Sequence, residues 1–149
     1  MTVIDSIFIV SAVAFNLLIA GIFIAQKLGR EKLVRTFGIL WLWLSVPFAL
    51  TFVTYWREGR ETWILVSFGL VFLYMLVELL LDYVFKFDFR SKAVTHVPYI
   101  LLEYAALFSL MGIALEIDQA RGTLVAICFW ILVGSLVYLY WDKIFKKKK

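Results

Sequence analysis

Glu78, Asp82, His96 and Glu103 fall within 26 positions of a strongly apolar chain. They belong to the stretch VELLLDYVFKFDFRSKAVTHVPYILLEY, residues 77–104. Carboxylates can hold a cation or relay a proton, and an imidazole titrates near neutral pH. A charged carboxylate placed in hydrocarbon costs at least about 2.5–3.5 kcal/mol on insertion scales. Each of these acids therefore needs a proton, a partner or a cation.

The elements that position them follow from the charge-free runs. Residues 6–26, 36–56 and 122–141 carry no charge; residues 62–85 contain only Glu78 and Asp82, and residues 97–115 only Glu103. A helix that crosses about 30 Å of hydrocarbon needs about 20 mostly apolar residues. The pattern predicts an all-α polytopic membrane protein: one transmembrane domain over residues 1–149, a compact bundle of five helices near 6–26, 33–56, 62–85, 96–115 and 122–142. The runs are too long and too continuous for barrel strands. The hydrophobic fraction of 64% and mean hydropathy of +0.93 leave almost nothing for a soluble domain. The segment before the first helix, MTVIDS, has an acid and no base, unlike a cleaved signal peptide.

Orientation follows from the basic residues. Twelve of the fifteen Lys and Arg fall in the first and third connections and the carboxyl-terminal segment. The positive-inside rule puts that side in the cytoplasm, with the amino terminus outside and the carboxyl terminus inside. Trp56, Trp63, Tyr140 and Trp141 fall at the expected interfaces, as an aromatic belt requires.

Helix rise then sets depth. Glu78 lies about 12 Å from the cytoplasmic end of the third helix, and Glu103 about 10 Å into the fourth. Antiparallel packing levels these two, and brings Asp82 level with His96 and Tyr99. Ser67, Tyr74, Glu78 and Asp82 share one stripe; His96, Tyr99, Glu103 and Ala106 share another. Both stripes are expected to face the protein interior. Arg90 and Lys92, in the basic hairpin after the third helix, are expected at the cytoplasmic mouth and as partners of anionic headgroups. The bland reading of the same residues is a structural polar network near headgroup water.

Other features read more simply. Pro47 cannot donate to the carbonyl of Trp43, so a kink is expected in the second helix, whose Trp43, Pro47, Thr51 and Thr54 share a face. Asn16, between Ala12 and Ala20, suggests close packing and an interhelical hydrogen bond. Cys128, the single cysteine, reads as apolar filler and excludes an intrachain disulfide. The terminal KKKK reads as topogenic, and is similar to a dilysine retrieval signal of the endoplasmic reticulum.

Several functions are excluded. One histidine cannot give bis-histidine haem ligation, and thiol and imidazole are too scarce for a usual zinc site. No lysine sits in a helix centre for a retinal Schiff base, and no phosphate-binding loop or arginine ladder occurs. No cofactor and no nucleic acid partner is expected. Five helices and many tryptophans are similar in outline to the TspO translocator family, but its tryptophan–proline motifs are not found, so the chain is not assigned to it.

The resulting expectation is a multi-pass protein of the plasma (inner) membrane, with the endoplasmic reticulum as the alternative. Its cavity would bind or move a proton, cation or small amphiphile. Glu78 and Glu103 would titrate or coordinate, with Asp82, His96 and Tyr99 as the layer nearer the mouth. The alternatives are a non-catalytic partner subunit or assembly factor, and a lipid-modifying enzyme using a carboxylate–His96 pair. Membrane lipids, a second copy or a partner membrane subunit would be its associates.

Overall fold

The computed structural model describes residues 2–85 and 93–145. All regular structure among those residues is helical: α1 (Val3–Lys27), α2 (Glu31–Trp43), α3 (Ser45–Arg57), α4 (Thr62–Glu78), a π-helical extension of α4 (Leu79–Val84), α5 (Ala93–Ile117) and α6 (Gln119–Phe145). Taken with α2 and α3 as one rod, five helices are long and apolar enough to cross a membrane.

The ends are fixed by local chemistry. α1 starts with a capping box: the Thr2 hydroxyl accepts from the Asp5 amide, and the Asp5 carboxylate accepts from the Thr2 amide. The helix therefore begins before the charge-free run does, with Asp5 inside its first turn. α1 and α3 end in the same way. Gly29 and Gly59 adopt φ of 65° and 69°, and Arg30 and Arg60 donate to the carbonyls of Ala25 and Tyr55. This is the glycine-dependent Schellman stop, which turns the chain within a few residues. Asp118 caps α6 by accepting from the Arg121 amide at 2.8 Å.

Two interruptions matter. The helical rod breaks at Leu44, three residues before Pro47, where the ring removes a backbone donor. The expected kink is thus an observed break. The second interruption overturns an expectation: the end of the third membrane-length segment is not α-helical. Over Leu79–Val84 it widens to a π-helix, and Phe85 donates to the carbonyl of Leu80 at 2.8 Å. Such wide turns bring residues five apart onto one line, and they concentrate at functional sites.

α1 is the hub, packed against α2, α3, α5 and α6, while α3, α4, α5 and α6 pack neighbour to neighbour around it. One end of the interior is filled by aromatic rings. Phe8 meets Phe48 and Phe68 at centroid distances of 6.0 and 5.5 Å, and Phe48, Phe68 and Tyr55 are fully buried. Edge-to-face rings of this kind pack densely and leave little room for water. Much of the outer surface is apolar too. Val10, Leu101 and Trp130 are 68%, 66% and 68% exposed, with many similar side chains beside them. A surface of that composition suits lipid and not water.

Some side chains depart from expectation. Asn16 is buried, but its amide donates to the Ala12 carbonyl of its own helix at 2.9 Å instead of bridging to another helix. Thr51 likewise donates back to the Pro47 carbonyl, at 2.9 Å. Trp43 points outward; the buried tryptophan of this rod is Trp41. Trp56, Trp63 and Trp141 are exposed near helix ends, whereas Tyr140 turns toward the interior.

Candidate functional site

At the end of the bundle away from the aromatic packing lies a cavity of about 280 Å³. Every membrane-length helix contributes to its wall: Ile19, Phe23 and Gln26 from α1, Gly38 and Trp41 from α2, Tyr74, Glu78, Asp82 and Tyr83 from α4 and its extension, His96, Tyr99, Glu103 and Tyr104 from α5, and Leu136, Leu139 and Tyr140 from α6. The five residues singled out for binding (Glu78, Asp82, His96, Tyr99 and Glu103) all line it. Ser67 and Ala106 are buried in the packed core instead. Arg90 and Lys92, expected at the mouth, lie outside the described residues, as do the rest of the 86–92 hairpin and the terminal KKKK.

The polar contacts are organised around Tyr99. Its hydroxyl donates to the Glu78 carboxylate, joining α5 to α4. The Tyr74 and Tyr99 hydroxyls lie 3.3 Å apart, so one donates to the other. Glu103 lines the same cavity one turn further along α5 from Tyr99. The His96 ring stacks on Tyr99 with planes 11° apart, and its Nδ1 has no hydrogen-bond partner among the described residues.

The aromatic wall runs deeper. Trp41 packs on Tyr74 at 5.4 Å between centroids and on Phe15 at 5.0 Å. Trp41 is 2% exposed, and its indole N–H finds no acceptor among the described residues. A buried donor without a partner is uncommon in folded proteins.

Sequence reasoning missed Trp41, Tyr83 and Gln26. Trp41 is one of two tryptophans alternating with leucines in WLWL, so nothing local distinguishes it from Trp43. Tyr83 falls off the α-helical stripe of Glu78 and Asp82 but lies five residues after Glu78, which the π-helical turn brings back to the cavity face. It also missed Asp5. That carboxylate is buried at the opposite end, where it accepts from the Tyr55 hydroxyl at 2.7 Å, with the Arg60 guanidinium at 3.5 Å. The guanidinium carbon also lies 4.7 Å from the Tyr55 ring centroid. This cluster is saturated with its own partners and clasps α1 to α3 and to the turn after it.

No protein-family model, curated protein or solved structure matches this chain.

Proposed function

We propose that this is a multi-pass membrane protein that binds or carries a proton, cation or small amphiphile in a cavity at the cytoplasmic half of the bundle. One observation carries the reading: Glu78 and Glu103, on different helices, line one cavity walled by every membrane-length helix, together with the buried pair Tyr74 and Tyr99. Ionisable residues inside a membrane bundle mark substrate or ion pathways far more often than they serve as filler. The apolar outer surface supports insertion in lipid.

The basic residues of the connections support an orientation with the amino terminus outside and the cavity end in the cytoplasm. The aromatic packing around Phe48 and Phe68 then lies toward the outer side, and Gln26 and Asp82, near the ends of their helices, are cavity-wall residues toward the cytoplasmic side. The inward placement of the acids favours a small ligand over a partner chain's basic groups. The membrane is the plasma (inner) membrane in this reading.

Thermal unfolding of detergent-purified protein tests it, with and without divalent cations and anionic lipid. A ligand that stabilises wild type should fail to stabilise Glu78→Gln and Glu103→Gln. Identical melting of all three proteins under every condition would reduce the acids to a structural network.

A further inference from the structure

The way into the cavity narrows what it takes, and this step rests on the cavity being a binding site in the cytoplasmic half. We propose that Tyr83 gates a side opening between α2 and the π-helical extension of α4, and that the ligand is a small amphiphile entering there from the inner leaflet.

The seam follows from the packing order. α3 packs on α4 and α4 on α5, whereas α2 packs on α1 and has no broad contact with α4 or its extension among the described residues. Deep in the bundle, Trp41 bridges the seam by packing on Tyr74, at 5.4 Å between centroids. One turn of α2 nearer the cytoplasmic end, at Gly38, the bridge is the Tyr83 phenol. Around the place where residue 38 would carry a Cβ, that phenol is the one side chain within 4 Å among the described residues. Gly38 is nevertheless buried. Moving the phenol away therefore uncovers the seam, because glycine has nothing with which to fill it.

The backbone that holds Tyr83 there has a second arrangement close at hand. In an α-helix each residue turns about 100°, so a residue five after Glu78 would point about 140° away from it. The π-helical turns over Leu79–Val84 bring Tyr83 back to the cavity wall. Rewinding them to α keeps Asp82, four after Glu78, on the cavity side and carries Tyr83 off it. One register step thus opens the seam and leaves the acidic wall in place. No side chain of the extension is fully buried, so little packing opposes the change. On the facing side, the break at Leu44 lets α2 tilt apart from α3.

The surroundings of the seam select what enters. Ile39 and Leu40 beside Gly38, and Val84 beside Tyr83, are exposed apolar side chains on a surface that suits lipid. A free ion gains nothing by crossing such a lip, whereas a molecule dissolved in the bilayer meets it directly. The wall behind it is part apolar, with Ile19, Ile22 and Ile100, and part acidic, which suits a molecule with an apolar and a polar end. At about 280 Å³ the space is near the lower end of ligand pockets, so the molecule is small.

The test puts a reporter cysteine on the cavity wall of α6, Leu136→Cys, in a Cys128→Ala background of the full chain. Lipid nanodiscs leave both faces open to water. Two thiol reagents are compared, a long-chain N-alkyl maleimide that dissolves in the bilayer and a charged maleimide that stays in water. Each labelling rate is taken relative to an exposed control, Val137→Cys for the alkyl reagent and Lys32→Cys for the charged one. With Tyr83 unchanged, the alkyl reagent should reach the reporter at a relative rate at least tenfold above that of the charged reagent. Tyr83→Ala should raise the alkyl rate at least a further tenfold and leave the charged rate unchanged, while Tyr83→Phe, which keeps the ring, should stay within about threefold of wild type. Equal relative rates with Tyr83 unchanged overturn the side entry without recourse to any Tyr83 variant; the cavity then opens to water, and its role as a binding site stands. An unchanged alkyl rate in folded Tyr83→Ala overturns the gate. If neither reagent reaches the reporter in any variant, the side entry and the binding reading both fail.

Discussion

The hydroxyl of Tyr83 occupies the space where residue 38 would carry a side chain. A Cβ on Gly38 would meet that oxygen at 2.0 Å, far inside any real contact, while the ring carbon behind it stands at 3.4 Å. Glycine at 38 thus lets the π-helical extension of α4 lean onto α2 and close one side of the cavity.

Gly38→Ala should therefore destabilise the protein by about 1–3 kcal/mol, the usual range for overpacking. Tyr83→Phe removes the clashing oxygen, so the pair Gly38→Ala/Tyr83→Phe should recover most of the loss. Unfolding midpoints of the four proteins form a double-mutant cycle. Simple additivity would show that the two residues do not meet.

A second glycine gives a sharper contrast. A Cβ on Gly122 would fall 2.5 Å from the Leu115 Cα, and backbone cannot swing aside. Gly122→Ala should open the α5–α6 turn and cost about 1–3 kcal/mol. Gly134 has open space around it. Gly134→Ala should be neutral, or stabilising by up to about 1 kcal/mol through helix propensity. Thermal melts in one detergent compare them directly, and equal effects would contradict the turn geometry.

The Asp5 cluster should matter for folding and not for ligand. Tyr55→Phe removes a buried hydrogen bond to a carboxylate and should cost about 1.5–3 kcal/mol. Arg60→Gln should cost less than about 1 kcal/mol, because the guanidinium is 34% exposed and lies 3.5 Å away. Neither should change binding at the cavity, which lies at the other end of the bundle. A loss of binding in Tyr55→Phe, with the protein still folded, would show that the two ends are coupled.

The proposed orientation is checked by single cysteines in a Cys128→Ala background. Arg57 and Lys32 are exposed and lie at opposite ends of the α2–α3 rod. A membrane-impermeant thiol reagent added to intact cells should label Arg57→Cys and reach Lys32→Cys only after permeabilisation. The reverse pattern would invert the bundle, and labelling of both in intact cells would contradict a spanning rod.

These residues also show what the amino-acid sequence discloses. Runs of uncharged residues marked every membrane-length helix, because lipid imposes length and composition together. Helical spacing brought Glu78, Asp82, His96, Tyr99 and Glu103 to one place, since stripes of polar residues on two antiparallel neighbours have to face each other. Asp5 was not legible in this way: it lies in the first turn of α1, outside the charge-free run, and no local signal shows that Tyr55, fifty residues on, will cover it. Nor is a departure of the backbone from 3.6 residues per turn legible. The π-helical segment moved Tyr83 onto the cavity face, and nothing in LLLDYV distinguishes it from α-helix. Trp41 and Trp43 are chemically equal neighbours, and only the packing of α1 against α2 selects the buried one.

The proposed function requires Glu78 and Glu103 to act as one site. The direct measurement is the unfolding temperature from pH 5 to 9 for wild type, Glu78→Gln, Glu103→Gln and the double variant. A shared site predicts a pH dependence in wild type that either single substitution largely removes, with the double variant no different from the singles. Four parallel curves, or two effects that simply add, would contradict it.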